Sequence, residues 1–156
     1  MRRGAPVVSA ALILTAALAA AGCDSSPSAV GCLSDYRAVD QALRQNRARW
    51  EGQRAASYEY VFERVCFCAP DARGPFRVRV ETDRIVRSQP ADTFSAALTI
   101  PQVFDVIQEA MGRRACTIDV RYDASAGFPA EVFIDYVSLA ADEEMGFRIS
   151  EVVVAR

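Results

Sequence analysis

The sequence predicts an α+β domain in which two helix–three-strand units form an antiparallel sheet, with the helices packed on one face of that sheet. Two segments carry apolar residues three and four positions apart, which is typical of amphipathic helices. Six shorter segments alternate apolar and polar residues, which is typical of strands with one buried face. The connections between these strands are short, and short connections favour antiparallel pairing.

The first unit begins with a helix that Ser34 can cap, since its hydroxyl can accept a hydrogen bond from a backbone N–H group of the first turn. The helix should be about five turns long, with an apolar stripe that one polar residue interrupts. Three strands are predicted to follow over 58–68, 76–81 and 84–88, separated by turns rich in Pro, Gly and Asp. The stripe of the helix consists of Tyr36, Val39, Leu43 and Trp50, with Asn46 as the polar interruption.

The second unit begins with a helix that has clear signals at both ends. Thr99 and Gln102 have the spacing of a capping box, and Pro101 suits the first helical turn. Gly112 is well placed to end the helix. The three strands after it are predicted over 116–123, 131–137 and 147–154, and the apolar face of the helix consists of Ile100, Val103, Phe104, Ile107, Ala110 and Met111.

The N-terminal segment is predicted to be a targeting signal rather than part of the folded domain. Residues 1–22 start with two arginines and contain an uncharged apolar stretch at 7–20, shorter than the ~20 residues of a comfortable membrane span. Small residues then lead to Cys23, a pattern that resembles the lipobox of bacterial lipoproteins, in which the cysteine takes a diacylglyceryl group. We therefore expect a lipoprotein signal peptide, a lipid-bearing cysteine with a flexible tether over 23–33, and a single domain over 34–156. The alternative is an ordinary cleavable signal that leaves a free thiol.

The composition argues against several kinds of chemistry. All 18 basic side chains are arginine, they stand against 20 acidic ones, and the chain has neither histidine nor lysine. The acidic balance argues against a generally basic nucleic-acid-binding protein. Without histidine there is no Ser-His-Asp or Cys-His triad, and without lysine there is no Schiff base. We therefore expect no nucleic-acid partner, no cofactor, no metal and no catalytic residues.

The cysteines are the sharpest chemical signal. If Cys23 carries lipid, four cysteines remain, and an even number in an exported domain favours disulfides. Cys66 and Cys68 lie two positions apart on a predicted strand, where their Cα atoms would be about 6.6 Å apart, near the upper limit for a bridge. A direct bond between them requires the strand to bend at its end. The easier alternative is two long-range bridges, from this pair to Cys32 and Cys116.

Three local patterns occur in order along the chain. They are Tyr58-Glu59-Tyr60 leading to Cys66-Phe67-Cys68-Ala69-Pro70, Thr99-Ile100 leading to Phe104-Asp105-Val106-Ile107, and Tyr122-Asp123 through Gly127-Phe128-Pro129 to Ile134-Asp135-Tyr136 with Ala141-Asp142-Glu143. The combination resembles a family of short bacterial secreted or lipid-anchored proteins of unknown function. The resemblance implies an envelope domain and supplies no activity, cofactor or catalytic residue. It also implies that the first cysteine pair bonds internally or stays free, with Cys32–Cys116 as an additional bridge.

The function predicted from these observations is that of a lipid-anchored envelope protein that binds a partner without catalysis. Its partners would be the membrane, through the lipid anchor, and an envelope protein. A sheet with helices on one face leaves the other face open. That this open face binds a partner is inferred by analogy with other binding modules. The open face would carry Arg77, Arg79 and Glu81, which makes these residues the first place to look for a partner.

Two enzyme-like hypotheses compete with this interpretation. The first is a thiol-redox protein that uses Cys66 and Cys68. The second is a small hydrolase with paired carboxylates, which requires Asp123, Asp135 and Glu143 to share one pocket. A four-cysteine zinc site also fits the count, but zinc ligand pairs normally have two to four residues between them.

Overall fold

One six-stranded antiparallel sheet and two helices make up the part of the protein that the structure, a computed structural model, describes. It describes residues 32–33, 35–91, 96–138 and 144–155. The sheet has the strand order β3-β2-β1-β6-β5-β4, so that β1 and β6 are central and β3 and β4 form the edges. The elements are α1 (Arg37–Gly52), β1 (Ser57–Val65), β2 (Phe76–Glu81), β3 (Arg84–Gln89), α2 (Ile100–Gly112), β4 (Thr117–Tyr122), β5 (Pro129–Asp135) and β6 (Met145–Val154).

The predicted fold class was wrong, because the chain does not divide into two helix–three-strand units. The protein is mostly β, and both halves contribute to one sheet whose two longest strands, β1 and β6, pair with each other in its centre. The helices are also unequal. Five side chains of α2 are buried, whereas α1 buries two, Leu43 and Trp50. The second helix packs on β4, β5 and α1. The two halves therefore meet through the β1–β6 pair and through the contact of α1 with α2.

The start of α2 was predicted correctly from the local sequence, whereas the predicted cap of α1 is not among the described residues. The structure confirms the predicted capping box of α2: the Thr99 hydroxyl accepts a hydrogen bond from the Gln102 N–H at 3.3 Å, and the Gln102 side chain accepts one from the Thr99 N–H at 2.8 Å. These bonds satisfy two N–H groups that the helix itself cannot pair. The predicted cap Ser34 lies outside the described residues. The first helix begins at Arg37, whose N–H donates to the Asp35 carboxylate at 2.9 Å.

An aromatic core lies between the sheet and the helices. Tyr58, Tyr60 and Phe62 alternate along β1 and are all buried on this face. Phe62 stacks on Phe147 of β6 with ring centroids 5.6 Å apart, and Trp50 of α1 meets Tyr58 edge-on at 5.2 Å. Such ring pairs add to the free energy already gained by burial. The other face of the sheet, turned away from the helices, is the open face.

The two buried tyrosines of β1 tie this strand to the start of α2. The Tyr58 hydroxyl accepts a hydrogen bond from the Ile100 N–H at 3.2 Å, and the Tyr60 hydroxyl donates to the Leu98 carbonyl. Burial raises the pKa of Tyr58 to about 12 and also raises the pKa of Tyr60, because desolvation disfavours the phenolate. Both side chains therefore remain neutral and serve the core rather than proton transfer.

Candidate functional site

Ion pairs between neighbouring strands cross the open face. Glu63 of β1 pairs with Arg148 of β6 at 2.8 Å, Arg148 lies 3.7 Å from Glu131 of β5, and Glu131 pairs with Arg121 of β4 at 2.8 Å. The hydrogen bond and charge of Arg121 hold the pKa of Glu131 below its ordinary value. Exposed pairs of this kind contribute little to stability, because water and salt screen them. We call these four side chains the charged row.

The three residues predicted for the open face do lie on it, along β2. Arg79 pairs with Glu81 at 2.9 Å and with Glu59 of β1 at 3.4 Å, and Arg77 pairs with Glu151 of β6 at 2.7 Å. Their charges are therefore compensated within the protein. These charges are paired like those of the charged row, but the depression described below has no lining residue from β2, so this half is a weaker candidate for a contact than the sequence suggested.

A depression of about 380 Å³ interrupts the open face beside the end of β1. Gly146 of β6 leaves this space free, and its partners in the sheet are Val65 of β1 and Phe133 of β5. Both flanking side chains are exposed, at 52% and 37%. A Cβ atom at Gly146 would lie 3.0 Å from the Cβ of Val65 and 3.1 Å from the Val132 carbonyl oxygen. Asp119 of β4 and most of the charged row line the depression, which thus combines an apolar floor with a polar rim.

The chemistry available in the depression favours contact over catalysis. Its lining holds two carboxylates, Asp119 and Glu131, and the lowered pKa of Glu131 is the opposite of what a general acid needs. Among the residues that the structure describes, no three Cys, Asp or Glu side chains lie close enough together to hold a metal ion. No helix within the same ranges is long and apolar enough to cross a membrane.

The end of β1 carries a short disulfide loop. Cys66 and Cys68 are bonded to each other with their Cα atoms 5.3 Å apart, which lies within the usual range for a bridge. The strand ends at Val65, not at the predicted residue 68, because the chain bends into this loop. Both cysteines are half-buried, whereas Phe67 between them is 84% exposed. Arg73 supports the loop by donating a hydrogen bond to the Cys68 carbonyl at 2.8 Å.

The second disulfide ties the start of the described chain to the sheet. Cys32 is bonded to Cys116, 84 positions later, and the Leu33 N–H donates to the Cys116 carbonyl at 2.7 Å. Of the two arrangements left open by the sequence, the structure therefore has one local and one long-range bridge. The predicted lipid attachment residue, Cys23, lies outside the described residues.

The carboxylates of the hydrolase hypothesis do not share a pocket. Asp123 follows β4 and holds a turn, where one of its oxygens accepts hydrogen bonds from the Ala126 N–H and the Ser125 hydroxyl, both at 2.7 Å. These bonds lower the pKa of Asp123. Asp135 lies at the other end of the β4–β5 pair, about 20 Å away along the strands. Glu143 lies outside the described residues.

The depression was not among the sites predicted from the sequence. Gly146 was the available signal, since a glycine inside an alternating strand often marks a close approach or a gap in the side-chain layer. Val65 and Phe133 carried no signal of their own. Their positions beside this glycine depend on the register of three strands.

The family model of DUF6174, a family of unknown function, matches residues 42–154. This interval includes every strand of the sheet, all of α2 and most of α1. The chain belongs to the DUF6174 family. Membership in DUF6174 confirms the coarser part of the resemblance noted above, a family of unknown function that covers most of the domain. No curated protein and no solved structure matches the chain.

Proposed function

We propose that this DUF6174 protein is an exported, lipid-anchored bacterial envelope domain that binds a protein partner through the depression on its open face. The observation that carries the binding role is the apolar floor of Val65, Phe133 and Gly146, which is set beside the paired charges of the charged row. Exposed apolar surface next to polar side chains is the usual composition of a contact site.

Export and lipid attachment are supported by features outside the depression. The apolar leader and the small residues before Cys23 fit a lipoprotein signal. The two disulfides fit an oxidising compartment, where such bonds persist. A lipid chain contributes about 0.8 kcal/mol for each buried CH₂ group, so multiple chains hold a protein at a membrane without a spanning helix.

The charged row gives the proposed contact its selectivity. Arg148 and Arg121 flank the carboxylate of Glu131, so the rim presents alternating signs around an apolar centre. A partner with matching charges would gain orientation from the rim and most of its affinity from the centre.

A photo-reactive residue in place of Phe133 should cross-link a discrete partner in cells that express the full-length protein. The same residue in place of Val86, an exposed position on edge strand β3, is the matched control and should not. Adding Arg148→Glu should lower the yield of the Phe133 adduct about tenfold, since it reverses a charge on the rim. Equal adducts from both positions, or none from Phe133, would contradict the binding role. Thermal unfolding checks that each variant is folded.

A thiol-redox role is the second candidate, and the half-exposed Cys66–Cys68 bond favours it. In such a reaction a dithiol donor would give two electrons and two protons to this bond, which would open to two thiols while the donor closed to a disulfide. The role predicts that rapid alkylation of cells followed by mass spectrometry finds this pair partly reduced. The Cys32–Cys116 bond, whose Cys116 is buried, provides an internal control and should remain oxidised. Full oxidation of both bonds under all growth conditions would exclude the role.

A further inference from the structure

Exposed apolar side chains gather at one end of the sheet. They belong to three segments that are distant in sequence, and the most exposed, Phe67, forms the tip of the disulfide loop. We call this set the apolar end; it consists of Leu33, Val65, Phe67 and Val137, exposed by 37%, 52%, 84% and 45%.

The strand register places these four residues together. The end of β1 pairs with the start of β6, which pairs with the end of β5, and the end of β5 pairs with the start of β4. Phe67 follows the end of β1 by two residues, and Val137 follows the end of β5 by two. Leu33 is hydrogen-bonded to Cys116, directly before β4. All of them therefore lie at the same end, although they come from three parts of the chain.

The chain that precedes the described domain also enters at this end. Cys32 is bonded to Cys116 beside the start of β4, and Cys23 lies nine positions earlier in the sequence. Nine residues span at most about 32 Å when fully extended. A lipid on Cys23 would therefore hold the apolar end within about 32 Å of the bilayer, nearer its point of attachment than the opposite end of the sheet.

We propose that the apolar end rests on the membrane surface, with Phe67 inserted into the interfacial region of the lipid. This inference rests on the lipid attachment proposed above. Phenylalanine is among the apolar side chains that segments lying in the interface bury at the headgroup–acyl boundary, and the short disulfide loop presents this ring with little loss of conformational freedom. Val65 also lines the depression, so the depression begins at the membrane-facing end, whereas Arg121 and Glu131 of its rim lie farther along the strands.

Charges around the apolar end argue for an apolar contact rather than an electrostatic one. Arg64, Arg73 and Arg114 lie near it, but so do the carboxylates Asp71 and Glu144. The acidic residues Asp142 and Glu143 of the β5–β6 connection lie outside the described residues. With both signs present, binding should not require anionic lipid and should change little with salt.

The test uses the full-length lipoprotein in phosphatidylcholine vesicles whose acyl chains are brominated, since bromine quenches tryptophan fluorescence on contact. Phe67→Trp is compared with Val153→Trp, which is 65% exposed at the opposite end of the sheet. The native Trp50 is buried and supplies a constant background. The fluorescence added by Phe67→Trp should be largely lost in brominated vesicles, at low and at high salt, whereas that added by Val153→Trp should be unchanged.

The outcomes separate this inference from the proposed anchoring. If the protein floats with the vesicles but the Phe67→Trp fluorescence is not quenched, or both variants are quenched equally, anchoring holds and the membrane contact of the apolar end is overturned. If the full-length protein floats no better than a Cys23→Ser variant, lipid attachment itself fails and the inference fails with it. Strong quenching that appears only with anionic lipid would contradict the apolar nature of the contact.

Discussion

Replacing both Cys32 and Cys116 with serine should lower the free energy of unfolding by about 4–5 kcal/mol. The bond closes a loop across 84 positions, so its loss restores a large conformational entropy to the unfolded chain. It would also loosen the start of the described chain, where Leu33 is hydrogen-bonded to Cys116 directly before β4. Urea unfolding of the oxidised protein and of the double variant, followed by circular dichroism, measures the difference.

The other disulfide supplies the matched control. Cys66 and Cys68 are two positions apart, so the same entropy argument gives a loss of under about 2 kcal/mol when both are replaced with serine. The two double variants change the same number of sulfur atoms and differ mainly in loop length. An equal loss of stability from both would show that loop length does not determine the effect.

Phe62→Ala should destabilise the protein by about 3–5 kcal/mol, the usual range for truncating a fully buried phenylalanine. The ring stacks on Phe147 and meets Tyr60 edge-on, so its removal opens a cavity where β1 and β6 pair. The surrounding strands are hydrogen-bonded on both sides of β1 and can collapse only partly into that space. Thermal and urea unfolding both report the change.

Phe67→Ala makes the same chemical change five positions later in the chain. Its side chain is 84% exposed, so the variant should unfold within about 0.5 kcal/mol of the wild type. A large loss of stability in this variant would show that Phe67 packs against the domain, which would contradict its proposed role at the membrane. A small loss in Phe62→Ala would instead contradict the assignment of the core.

The helices and the alternating strands followed from the sequence because their signals are local. The capping box of α2 involves groups three residues apart, and the buried face of β1 follows from a period of two. The end of β1 was misplaced by three residues. The alternation continued through Cys66 and Cys68, while the bond between them bends the chain.

The same local signals could not predict how the two halves of the chain combine in one sheet. Each half shows a helix followed by three strands, which suggested two similar units, but the register of β1 with β6 joins residues such as Phe62 and Ile149 that are far apart in sequence. Pairing at that distance depends on how the whole chain buries its apolar surface, and local periodicity carries no information about it.

The sequence by itself determined the periodicity of the elements, the capping of α2, the chemistry that the missing residue types exclude, and the expectation of an exported, lipid-bearing N-terminus. The tertiary structure alone decided which cysteines bond, which charges of the open face pair with one another, and that Gly146 lies in a depression between Val65 and Phe133. It also brought four exposed apolar residues to the end where the chain enters. These features are juxtapositions of distant segments, and the free energy that sets them is shared by the whole core rather than by any one segment.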